Sequence, residues 1–140
     1  TQGTGSKTKL LEQFKDYGNV ILIGSFSFWE GVDVRGSDLS LVIIDKLPFQ
    51  SPGDPIFESK INMLTAKGIN AFMTFQLPKA IISLKQGAGR LIRDEIDKGV
   101  LMICDQRIVS KPYGRKFWQS LPDFKRTREK DDVIEFLKHL

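Results

Sequence analysis

Apolar residues recur along the chain in two rhythms, and each predicts a kind of element. Over 7–17, Leu10, Leu11, Phe14 and Tyr17 fall on one side of a 3.6-residue helix that Gly18 and Asn19 end. The rhythm returns after Ile56, with Phe57, Ile61 and Leu64 on one side, and stops near Gly68. It begins again after Pro78, a residue suited to a first helical turn. Unbroken apolar runs within 20–24, 41–45 and 100–105 predict three short strands instead. Such runs suit a sheet covered on both faces, which is the usual setting of parallel strands. Residues 46–55 hold three prolines and a glycine and read as an irregular loop. Helical patterning at 111–119 and 131–140 closes the chain. Strands alternating with helices predict an α/β domain with a mainly parallel sheet.

Composition narrows the class. With 140 residues, 41% apolar and 27% charged, the chain suits one globular core spanning 1–140. No apolar run approaches the roughly 18 residues of a membrane helix, and the polar start lacks the order of a secretory leader. The chain therefore reads as cytoplasmic, with no membrane partner. One cysteine excludes an internal disulfide and a four-cysteine cluster built from this chain alone; one histidine argues against a His-rich metal site and a Ser-His-Asp triad. Cys104 reads as a small core residue and His139 as a solvent-facing one. About three strands is few beside the usual five to six, so the chain reads as a fragment of a longer polypeptide.

Charge is unevenly placed. Against a net charge of +4 for the chain, residues 107–130 carry eight basic groups and two acidic ones. Phe117, Trp118 and Phe124 lie among those cations. Cations interleaved with aromatics suit a nucleic-acid strand; they equally suit a solvated helix face whose rings turn inward. Gly3-Thr-Gly-Ser-Lys-Thr8 looks superficially like a phosphate loop, but Ser6 stands where the motif needs glycine and no strand precedes it.

The segment from Pro78 to Arg93 carries more. As one helix it would gather Ile81, Leu84, Ala88, Leu91 and Ile92 on one face and Gln86, Arg90 and Arg93 on the other. Gly87 and Gly89 flank that polar stripe, at a cost of about 1 kcal/mol each in a helix interior. Two guanidiniums beside an unobstructed approach suit an anionic ligand; an exposed stripe with two packing glycines is the alternative. Between Gly24 and Gly36, after the first expected strand, Glu30 and Asp33 can accept from ribose hydroxyls or pair with arginines, and Gly31 permits a tight turn. Phe26, Phe28 and Trp29 either bury that loop or stack on a base.

Phe28-Trp-Glu-Gly-Val-Asp33 followed by Gln86-Gly-Ala-Gly-Arg-Leu-Ile-Arg93 resembles motifs V and VI of the DinG branch of superfamily 2 helicases, relatives of XPD. Leu47-Pro-Phe49 with Asp54-Pro55 resembles that family's proline-rich loop after motif V. Asp97-Lys-Gly99 leading to Asp105-Gln-Arg107 resembles its segment after motif VI, and Gln2-Gly3 with Leu10, Leu11 and Phe14 its approach to motif V. The ordered set spans nearly the whole chain.

The resemblance implies a RecA-like three-layer α/β/α sandwich, the second of two motor domains that bind ATP between them. On that pattern Arg90 and Arg93 would face the phosphates, one as arginine finger. Gln86 would sense the γ-phosphate, while Glu30, Gly31 and Asp33 would complete the ATP side. Lys46, Phe49, Arg115, Lys116, Arg126 and Arg128 are the candidate contacts to single-stranded DNA. Mg²⁺ ligands and a Walker A lysine would lie in an upstream RecA-like domain of the same parent, so the fragment alone is expected to be inactive. The parent would be an ATP-dependent DNA helicase of replication or repair. Two other readings stand beside it. One is a nucleic-acid-binding module without motor activity, serving a fused 3'-5' exonuclease. The other, a small-molecule enzyme using Asp45, Asp105 or Cys104, lacks a visible nucleophile–base pair.

Overall fold

The computed structural model of the chain describes residues 6–25, 39–92 and 97–140. Its elements run α1 (Lys7–Asp16), β1 (Leu41–Ile44), α2 (Pro55–Ala66), α3 (Leu77–Ala88), β2 (Val100–Ile103), α4 (Arg107–Ser110), α5 (Gly114–Ser120) and α6 (Lys130–Lys138). β1 and β2 pair in a parallel sheet, so the fold is α/β, as in small RecA-like domains. The chain divides into two compact units. One takes 1–44, 86–102 and 123–140; the other takes 45–85 and 103–122.

In the first unit, the Ser6 hydroxyl caps α1 by accepting from the Lys9 N–H at 3.3 Å. The helix gives way to Gly18, whose φ of +58° is a glycine conformation. The β-ladder extends one step before the strands, where the Val100 N–H donates to the Ser40 carbonyl at 2.9 Å. Gly99 makes this approach possible, because a Cβ there would meet Leu91 and the Ser40 carbonyl. Leu10, Ile44, Ala88 and Leu91 are buried.

The strand expected at 20–24 does not form. Val20, Ile21 and Ile23 are exposed and irregular, Ile21 at 87%. An apolar run becomes a strand only when a neighbour supplies the ladder, and among the described residues the sheet holds β1 and β2 alone.

The second unit is organised by caps and rings. Asp54 opens α2 by accepting from the Ile56 and Phe57 N–H groups at 2.9 and 3.2 Å, with Pro55 in the first helical position. Gly68, at φ +72°, closes it in a Schellman turn: its N–H reaches the Thr65 carbonyl, and the Ile69 N–H reaches that of Leu64. Asn70 starts the next helical run, accepting from the Met73 N–H through its side chain at 3.1 Å.

That run begins before Pro78 rather than at it. Phe72–Gln76 form a π-turn that leads straight into α3, and the Leu77 N–H bonds back five residues to the Phe72 carbonyl. Pro78 does fall in the first turn of α3, but the chain arrives there already helical. A proline ring presses on the carbonyl four residues earlier and donates no hydrogen bond, so a widened turn just before it relieves both problems. At its other end α3 stops at Ala88, short of the expected Arg93.

Phe49, Phe72, Tyr113 and Phe117 form a ring cluster with centroids 5.1–6.5 Å apart. The helix expected over 111–119 begins at Gly114, and a separate turn, α4, precedes it. Gly114 sits so close to the Ile108 carbonyl that a Cβ would collide with it. The same carbonyl accepts the Trp118 indole N–H at 2.6 Å, which locks α5 onto α4. Gly114→Ala is expected to cost about 1–3 kcal/mol through this clash. Urea unfolding beside Gly53→Ala, whose Cβ meets nothing, separates the clash from glycine chemistry in general, since Gly53 pays only for its positive φ.

Candidate functional site

Gln86 and Arg90 stand at the carboxyl end of α3, both in the first unit. Gln86 is exposed in the last turn and Arg90 is half-buried. Beyond Ala88 the ladder tightens, with the Arg90 N–H on the Gly87 carbonyl at 3.2 Å and the Leu91 N–H on that of Ala88 at 3.0 Å. A tight turn, rather than a continuing α-helix, therefore presents Arg90. Its two glycines differ in exposure: Gly87 is buried and Gly89 is exposed. Leu84, Ala88 and Leu91 are fully buried, as the apolar side of the stripe predicts. Arg93, Glu30, Gly31 and Asp33 lie outside the described residues.

The candidate strand contacts divide between the units. Arg126 and Arg128 are exposed in the segment before α6, in the first unit; Arg115 and Lys116 are exposed on α5, in the second. Lys46 is exposed just past β1. Phe49 is placed differently from a base-stacking ring. It stacks on Phe72 at 5.8 Å, meets Tyr113 and Phe117 edge-on, and carries the Arg107 guanidinium over its face at 5.2 Å. It serves as an internal support.

Within the second unit, an open cleft of about 500 Å³ lies at the carboxyl ends of the two strands, lined by Asp45, Lys46, Cys104, Asp105, Gln106 and Arg107. Asp105 organises it. One carboxylate oxygen accepts the Leu47 N–H at 2.8 Å, which joins the chain leaving β1 to the chain leaving β2. The other accepts the Arg107 backbone N–H at 2.9 Å. Arg107 returns to both oxygens through Nε at 3.0 Å and through Nη2 at 2.6 Å. Among the described residues Nη1 has no acceptor, and the side chain is 41% exposed.

The Arg107 hydrogen bonds, aided by those from the Leu47 and Arg107 amides, outweigh burial and hold the Asp105 carboxyl down at about 2. Asp105 in turn holds the Arg107 guanidinium more firmly charged. A carboxylate so engaged is a poor general base, which weakens the small-molecule-enzyme reading. Cys104 is exposed rather than a core residue, because the chain leaves the sheet at Ile103 and the side chain opens into the cleft.

Sequence reasoning counted Arg107 within the basic tract of 107–130 and missed this pairing. The available signal was an acid at a strand end followed two residues later by arginine, spacing that lets one carboxylate take both the backbone N–H and the guanidinium. Asp105 is buried and its acidity is increased by folding, so its contribution is complete above about pH 4 and fades as pH falls towards 2. It is worth on the order of 2 kcal/mol. Asp105→Asn is expected to lower stability by about that amount at pH 7, with the gap to wild type narrowing below pH 4 in urea unfolding.

Residues 1–124 match the family model described as the helicase C-terminal domain. The chain is similar to the ATP-dependent DNA helicase YoaA of Escherichia coli, 54% identical over 136 residues that cover 97% of this chain and 21% of the relative. It is 42% identical over 131 residues to the 3'-5' exonuclease DinG of Bacillus subtilis, covering 94% of this chain and 14% of the relative. It is 40% identical over 139 residues to the ATP-dependent helicase DinG of Mycobacterium tuberculosis, covering 99% and 21%. The chain thus spans about a fifth or less of the length of these curated relatives. With that match over most of its length, the chain belongs to the helicase C-terminal domain family, in its DinG and YoaA branch.

Proposed function

We propose that the chain, 1–140 as one domain, is the second motor domain of an ATP-dependent DNA helicase and supplies arginine to ATP bound against an upstream RecA-like domain. The observation that supports the reading is the placement of exposed Gln86 in the last turn of α3 and of Arg90 in the turn just after it, both inside the family match. Phosphoryl transfer spreads negative charge over the equatorial oxygens, and an arginine placed there is worth about 10³–10⁵ in turnover. Arg90 and Arg93 take that role, Gln86 reads the γ-phosphate region, and Glu30, Gly31 and Asp33 complete the ATP side. Mg²⁺ accompanies the nucleotide. Its protein ligands are assigned to the upstream domain in this reading.

Single-stranded DNA is the polymer partner, met by Lys46, Arg115, Lys116, Arg126 and Arg128. Among the described residues no helix is long and apolar enough to cross a membrane. The parent is assigned to the cytoplasm, in replication or repair, by its likeness to bacterial DNA helicases. A second reading, a strand-binding module without motor activity that serves a nuclease, draws support from the relative named a 3'-5' exonuclease.

The test is ATP hydrolysis by the full-length parent, with and without single-stranded DNA. Arg90→Ala and Arg93→Ala are each expected to remove DNA-stimulated turnover by about 10³-fold or more while the protein stays folded. Normal turnover in both variants would remove these arginines from the ATP cleft. An intact parent that binds DNA without any turnover would favour the second reading.

A further inference from the structure

We propose that the cleft at the ends of β1 and β2 holds a backbone phosphate of a single DNA strand between Lys46 and Arg107, with Asp105 as the positioning residue for both. This rests on the strand-contact part of the reading above and adds the site, its second cation and the group that sets them.

The placement comes first. Ligands of open α/β sheets gather outside the carboxyl ends of the strands, and this cleft opens there. Its cations are prepared unequally. Lys46 is exposed and has no ion pair among the described residues, so its ammonium is available to an anion. Arg107 is held in one plane by Asp105 on one edge and by the Phe49 ring beneath it, with Nη1 left over. A guanidinium fixed in that way loses little freedom when it meets a phosphate oxygen. Asp105 couples the two cations because the Leu47 N–H it accepts directly follows Lys46.

The rings decide which part of a strand can sit here. Phe49 already carries Phe72 and Arg107, so it offers no platform to a base. The contact is therefore to the backbone and indifferent to base identity. Asp45 also lines the cleft, and its carboxylate opposes an anion. Neutralising it should strengthen the contact.

The experiment is fluorescence anisotropy of labelled oligothymidylate and oligodeoxycytidylate with the full-length parent over a salt series. Lys46→Ala is expected to weaken both oligonucleotides by about tenfold and to reduce the slope of log affinity against log salt by about 0.7, the share of one phosphate on a single strand. Asp45→Asn is expected to tighten binding by about two- to threefold. Asp105→Asn should weaken it, and the loss should be smaller in a Lys46→Ala background than in wild type, because Asp105 acts partly through Lys46 and partly through Arg107. Rescue of binding by Lys46→Arg separates a lost charge from a damaged fold. An unchanged salt slope in Lys46→Ala overturns the site, and additive losses overturn the positioning role. A loss of ATP affinity in place of strand affinity would give the cleft to a nucleotide phosphate instead. A wild-type parent that fails to bind either oligonucleotide would overturn the strand-contact reading itself.

Discussion

One carboxylate holds together the chain exits on which the second unit's surface depends. β1 and β2 deliver the backbone to neighbouring points at the edge of the sheet, where ladder hydrogen bonds end and each chain must find new partners. Asp105 supplies them by accepting an amide from the segment after β1 and an amide and a guanidinium from the segment after β2. A buried carboxylate without donors would be costly, and here every donor also does structural service. The Arg107 plane, in turn, rests on Phe49, so the charge arrangement and the ring cluster support one another.

Much of this architecture was legible in residue pattern because its causes are local. Gly18, Asp54–Pro55 and Gly68 end or begin helices through backbone conformation and capping, which neighbouring residues decide. The apolar runs of β1 and β2 were equally plain. The run at 20–23 looked the same and formed no strand, since a strand depends on a partner that no local pattern supplies. The π-turn at Phe72–Gln76 escaped notice because it answers a proline that follows it, while the apolar rhythm around it stays roughly helical.

The site was legible to a different depth. Gln86 and Arg90 were legible as candidates from helical spacing, but that spacing assumed one helix to Arg93, and α3 ends at Ala88, so a turn carries Arg90 instead. The roles of Phe49 and Arg107 were not readable, because each is fixed by residues distant in sequence: Phe49 by Phe72, Tyr113 and Phe117, and the Asp105 end of the pair by Leu47. A tally of cations treats all guanidiniums alike. Pairing turns one of them from a diffuse charge into an oriented donor.

The π-turn also sets an angular reference. Each residue advances an α-helix by about 100°, so one residue accommodated in a widened turn resets the azimuth of everything that follows it along the same helix. Gln86 lies ten residues beyond that turn and inherits the offset. The direction in which its amide faces is thus written partly into Phe72–Gln76, a stretch that itself carries no chemistry. Losing one residue there would leave α3 helical and its composition intact, yet would swing its polar edge away from its present bearing.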